Sequence, residues 1–187
     1  GIEPGEARIL AWGGLALGLL GAAEISLKNV AETLFVKRVG VGLLPAVFLL
    51  NDLLLAAATF AFVGVAARSD RLHLLPRMLL GLGAALLPLW ALAALDLRFG
   101  PVLLIVASRL VPSLALMVFW IAIGDLLHGR QAKRLFAPMT AGVTLGTIVG
   151  SFASEPIGIR FGVASLLLLA AAALAGAAAA TRPLRRL

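Results

Sequence analysis

The chain has 187 residues, 61% of them hydrophobic and 13% charged, with no cysteine and a formal net charge of +7; its mean hydropathy is +1.07. Soluble domains carry about 25% charged residues, so this composition excludes an ordinary globular protein and points to an integral membrane protein. The absence of cysteine excludes disulfides, thiolate metal sites and cysteine nucleophiles. The positive balance would speak for nucleic acid in a soluble chain, but it falls in short segments between apolar runs and reads as membrane topology, with no case for a nucleic-acid partner.

A membrane span needs about 20 apolar residues, so the predicted architecture is all-α: a polytopic bundle of about six transmembrane helices forming one domain over residues 1–187. Residues 1–7 are a polar lead with Glu3, Pro4 and Glu6 and no initiator methionine, as expected of part of a longer chain. Span 1 is predicted over residues 8–36, with Glu24, Lys28, Asn29 and Glu32 inside it. A signal peptide is the competing reading of this segment, with Arg8 before the apolar run and small residues at Gly21-Ala22-Ala23; the two acids of the lead argue against it. Lys37 and Arg38 close the span, Gly40 and Gly42 mark a turn, and span 2 (residues 43–67) contains Asn51 and Asp52. A basic loop with Asp70, Arg71, His73, Pro76 and Arg77 leads to span 3 (residues 78–97). Gly100-Pro101 breaks the chain before span 4 (residues 102–127), which holds Ser108, Arg109 and Pro112 and ends near Asp125. A second basic loop, with His128, Arg130, Lys133 and Arg134, precedes span 5 (residues 135–154). Glu155-Pro156 is expected to turn the chain into span 6 (residues 161–180), after which Arg182, Arg185 and Arg186 follow.

Sorted by the sides these spans define, ten of the sixteen Lys and Arg residues fall with the N-terminus and four (Lys37, Arg38, Arg98 and Arg160) on the opposite side. This bias predicts that both termini are cytoplasmic and that the chain lies in the cell's inner, cytoplasmic membrane.

The charges inside spans carry the functional argument. Glu24, Lys28 and Glu32 recur every four residues, so their side chains share one helix face and can pair along it. At 1.5 Å of rise per residue, Lys28 lies roughly 15 Å, Asp52 roughly 14 Å and Arg109 roughly 12 Å from the outer surface. Half of a hydrocarbon core is about 15 Å, so three helices are predicted to bring charges to the midplane together. An ionisable group there costs a few kcal/mol and turns toward other helices or a water-filled path. Glu24, Lys28, Asn29, Glu32, Asn51, Asp52, Ser108 and Arg109 are therefore the candidate solute or proton pathway. The alternative is a polar knot whose members only satisfy one another and hold the helices in register.

Span 5 carries Gly142, Gly146 and Gly150, spaced so that another helix can approach closely. With Thr147 and Ser151 the segment resembles the fifth-helix motif G-xxx-G-P-xx-G-G of the major facilitator superfamily, Thr147 standing in place of proline and Ser151 of the last glycine. Gly64, Asp70, Arg71 and Arg77 resemble the superfamily's loop between helices 2 and 3, and Arg109, Ser113 and Ala115 its fourth helix. The stretch from Gly124 to Phe136 is similar to the loop between helices 4 and 5 in the bacterial branch related to the ATP/ADP carriers. The resemblance implies the N-terminal six-helix half of a secondary transporter working by alternating access, with a second six-helix half as partner. It also implies a polar or anionic small solute as cargo, with a coupled proton as a candidate co-substrate.

Asp70, Arg71, Arg77, Asp125, Arg130, Lys133 and Arg134 are expected to form a gating network on the cytoplasmic face. The basic rim alternatively enforces topology and touches lipid headgroups. No enzyme is predicted. The histidines, His73 and His128, lie in loops, the serines at depth lack a base, and no carboxylate pair is spaced for a metal, so neither metal nor cofactor is expected. Trp12 reads as an interface anchor, and Trp90 and Trp120 as packing residues. A non-transporting anchor or sensor attached to a soluble domain is the second reading of the whole chain.

Overall fold

The computed structural model describes residues 4–66, 71–95, 100–127 and 129–186. These residues form six α-helices and no strand: α1 (Pro4–Arg38), α2 (Leu44–Ala66), α3 (Arg71–Ala94), α4 (Gly100–Leu126), α5 (Gly129–Phe161) and α6 (Leu166–Thr181). Each belongs to one of six segments long and apolar enough to cross a membrane, the last running from Val163 through a 3₁₀ turn into α6.

Several helix boundaries differ from the sequence prediction: α1 already begins at Pro4 in the polar lead, α5 begins at Gly129 so that Lys133 and Arg134 of the expected second basic loop are helical, and two further differences involve proline. α3 starts at Arg71, so His73 and Arg77 are helical and not in a loop, and Pro76 is inside the helix. α5 runs on through Glu155-Pro156 to Phe161. Proline removes one backbone hydrogen bond, which membrane helices tolerate when their neighbours hold them, so neither Pro76 nor Pro156 ends its helix. The chain reverses instead at Gly162, whose φ of +85° is accessible to glycine without strain. As a result α6 begins at Leu166 and not near Phe161. Gly40, with φ +87°, closes α1 as predicted, and its N–H donates to the Phe35 carbonyl at 3.2 Å.

α1 is the central element. It packs most extensively on α5 and then on α6 and α4; α3 packs on α6 and α4, and α2 leans chiefly on α4. Exchanging α1–α3 with α4–α6 maps this neighbour pattern onto itself: α1 with α5 becomes α4 with α2, and α1 with α6 becomes α4 with α3. Successive helices run in opposite directions, so the two triplets have inverted topology.

The α1–α5 seam shows how the small residues are used. Gly142 faces Gly14, Gly146 faces Gly18 and Gly150 faces Ala22, so the two helices run parallel at a constant sequence offset. The same offset, 128 residues, separates Glu6 from Arg134, which form an ion pair of 2.7 Å at the start of the seam. A Cβ on Gly142 would sit 2.5 Å from the Gly14 carbonyl oxygen, one on Gly150 2.8 Å from the Ala22 Cα, and one on Gly146 would collide with the Gly18 carbonyl. In lipid, where apolar burial gives little drive for helices to associate, such backbone approach supplies the dispersion contacts that hold them. α6 uses alanine likewise: Ala170, Ala173, Ala177 and Ala178 are buried. At the start of α5, Trp120 packs edge-to-face on Phe119 and Phe136, with centroids 5.5 and 5.1 Å away, in the packing role the sequence predicts for it.

Candidate functional site

Between α1, α2 and α4 lies a cleft of about 280 Å³. α1 contributes Glu24, Lys28 and Glu32 from one face; α2 contributes Phe48, Asn51, Asp52 and Leu55; α4 contributes Ile105, Ser108, Arg109, Pro112, Ser113 and Leu116. Lys28 lies ten residues before the end of α1, Asp52 eight after the start of α2 and Arg109 nine after the start of α4. The charged wall is thus roughly 12–15 Å in from the end of the bundle where α1 stops and α2 begins. The Lys28 and Glu32 side chains are 58% and 48% exposed.

Of the predicted pathway residues, seven line this one cleft: Glu24, Lys28, Glu32, Asn51, Asp52, Ser108 and Arg109. Asn29 does not line it, because it follows Lys28 and is turned about 100° around the helix from it. The charges are only partly paired. Lys28 and Glu32 approach to 4.0 Å, the outer limit of an ion pair. The Arg109 guanidinium lies over the Phe48 ring, 4.0 Å from its centroid, a cation–π contact joining α4 to α2. Among the described residues no ion pair holds Glu24, Asp52 or Arg109.

Two polar groups complete the wall. Asn51 is 1% exposed, and neither its amide nitrogen nor its amide oxygen has a hydrogen-bond partner. Leaving such a donor or acceptor unmade costs about 1–3 kcal/mol. The Ser108 hydroxyl donates to the Ile105 carbonyl at 2.8 Å and is satisfied. The Ser108 carbonyl is different: its helical partner would be the N–H of residue 112, and Pro112 has none. Phe48 and Pro112 were not among the predicted site residues. Proline inside an otherwise apolar span is the sequence signal that marks the second; nothing local marks Phe48.

The residues expected to gate the opposite end are partly connected. Arg71 at the start of α3 donates to Asp125 near the end of α4 at 2.8 Å, both side chains being nearly half exposed. Arg134 pairs with Glu6, which is 3% exposed and was not part of the predicted network. Lys133 and Arg77 are exposed. Asp70 and the Arg130 side chain lie outside the described residues, as does His128. Gly142, Gly146 and Gly150 receive α1, the partner that the sequence alone left unnamed. Among the described residues no group of His, Cys, Asp or Glu is placed to hold a metal.

Compared with protein-family models, curated proteins and solved structures, the chain matches none of them.

Proposed function

We propose that this chain is the solute-binding six-helix half of a secondary transporter, and that the cleft between α1, α2 and α4 binds a polar small solute during alternating access. The observation that carries this reading is the meeting, on three helices, of five charged side chains and an unpartnered amide in one cleft. A polar knot serving only the fold would pair its members, whereas here Glu24, Asp52 and Arg109 stay without ion-pair partners among the described residues. Two further features support it. The neighbour pattern has the inverted three-helix repeat common in transporter halves, and the cleft sits between the two triplets, where such proteins bind cargo. Three carboxylates face two bases in the cleft, so full ionisation leaves one negative charge that a proton or cationic group can balance.

In this reading a second six-helix half, in the same or another chain, covers the open side, and lipid meets the outer apolar surfaces. Both termini lie in the cytoplasm, in the inner membrane, and the Arg71–Asp125 and Glu6–Arg134 pairs tie helices together at the cytoplasmic end. The test is solute uptake into proteoliposomes by the full-length protein and by Lys28→Ala, Asp52→Ala and Arg109→Ala. Wild-type uptake that is lost in these variants supports the reading; uptake unaffected by all three sinks the cleft assignment. A full-length sequence with a long soluble extension and no second helical repeat would favour a membrane anchor.

A further inference from the structure

The unpaired groups of the cleft specify a ligand more narrowly than "polar". Lys28 and Glu32, opposite charges 4.0 Å apart on one helix, offset each other's charge; the other polar groups are the guanidinium of Arg109 on α4, the carboxylates of Asp52 on α2 and Glu24 on α1, the amide of Asn51, and the Ser108 carbonyl that Pro112 deprives of its helical partner. A ligand bearing only negative charge would satisfy Arg109 and be repelled by Asp52 and Glu24. A ligand bearing only positive charge would satisfy the carboxylates and leave Arg109 still without a counter-ion. A nucleoside triphosphate meets the first objection several times over. It is also large for a volume of about 280 Å³, just under the roughly 300–1,000 Å³ of most small-molecule sites.

Resting on the transport-site reading above, we propose that the cleft takes a zwitterion of amino-acid size, one carrying an ammonium and a carboxylate on a short skeleton. The carboxylate sits against Arg109, whose planar fork matches its two oxygens. Stacking on Phe48 holds the guanidinium plane without consuming it in an ion pair. The ammonium faces Asp52 and Glu24 and has a further acceptor in the Ser108 carbonyl. Asn51 offers a donor to the carboxylate and an acceptor to the ammonium. Both of its amide atoms are covered, so they reach the ligand through a side-chain rotation, and the ligand ends their unpaired state.

The test is ligand binding to the full-length protein in lipid nanodiscs, read as a concentration-dependent rise in unfolding midpoint. The probes are the common L-α-amino acids one at a time, then the N-acetyl and carboxamide derivatives of any that bind, with inorganic phosphate, ATP and choline alongside. At least one amino acid is expected to bind, its two derivatives to bind about tenfold more weakly or worse, and the other three probes to have no effect. Arg109→Lys and Asp52→Asn are each expected to weaken the amino acid about tenfold or more while keeping the wild-type midpoint without ligand. If Arg109→Lys does not yield folded protein, Asp52→Asn alone decides, because it must erase the preference for the amino acid over its N-acetyl derivative. Binding of phosphate, ATP or an N-acetyl derivative in place of the amino acid, lost in either variant, overturns the zwitterion and keeps the cleft as a solute site. No response of any probe to any cleft substitution overturns both.

Discussion

The α1–α5 and α4–α2 pairs occupy equivalent places in the two inverted triplets, and they are built in opposite ways. α1 and α5 meet backbone to backbone along glycines, with a buried carboxylate, Glu6, tied to Arg134 where the seam starts. The shallow trough beside this seam is walled by apolar and small residues such as Leu10, Leu15, Leu145 and Val149. α2 makes a much smaller contact with α4, and what lies between them and α1 is a polar cleft with an unpartnered amide. One pair is held by shape, and its polar groups are satisfied. The other is held by little, and the Asn51 amide within it has no hydrogen-bond partner. The contrast sets a closely packed α1–α5 pair against an α2 that is held by far less contact.

The largest effect should come from breaking the closely packed pair. Gly146→Leu puts a side chain into the Gly18 carbonyl of α1, and overpacking of this kind costs about 3 kcal/mol or more. We expect loss of monodisperse protein in detergent and a much lower unfolding midpoint. A Cβ on Gly81, an exposed position, meets nothing within 4 Å, so Gly81→Leu should leave both unchanged. Next in size is Arg134→Ala, which removes the 2.7 Å ion pair of the Glu6 carboxylate, itself 3% exposed. Arg134 is itself half exposed, so about 1–3 kcal/mol of stability should be lost in chemical unfolding, and Glu6→Gln should lose less.

The loosely held pair should answer in the opposite sense. Asn51→Leu removes an amide with no partner and keeps a similar branching shape, so the fold should be equally stable or gain about 1 kcal/mol, while solute uptake falls sharply. A variant that loses stability with no change in uptake would show that Asn51 serves packing, and would erase the functional side of the comparison. The smallest effect belongs to Arg71→Ala. Its pair with Asp125 is nearly half exposed, so stability should change by less than about 1 kcal/mol. A change in uptake rate at unchanged stability would mark this pair as part of a gate.

The depth arithmetic that joins Lys28, Asp52 and Arg109 needs only helix rise and span ends, and the cleft contains all three. The end at Gly40, a glycine of positive φ, is legible in the sequence; the reversal at Gly162, a second such glycine, is not, because Glu155-Pro156 offers an earlier turn. Ends assigned to proline are not legible either, because Pro76 and Pro156 each remove one hydrogen bond without stopping a helix whose neighbours support it. Asn29 could be separated from the cleft only by rotation about α1, and Glu6 looked like part of a solvated lead until Arg134 covered it.

Sequence by itself determined the class: composition and apolar run length allow six membrane-crossing helices, and the buried cost of charge requires Lys28, Asp52 and Arg109 to face inward. Tertiary structure decided which helices meet. Gly142, Gly146 and Gly150 announce a close neighbour, but α1 is fixed as that neighbour only by matching glycines at a common offset. The pairing state of the cleft charges depends on distances between three helices, which no local pattern in the chain encodes. That is why the partnerless Asn51, Arg109 turned onto Phe48 and the freed carbonyl ahead of Pro112 became visible only in the folded bundle.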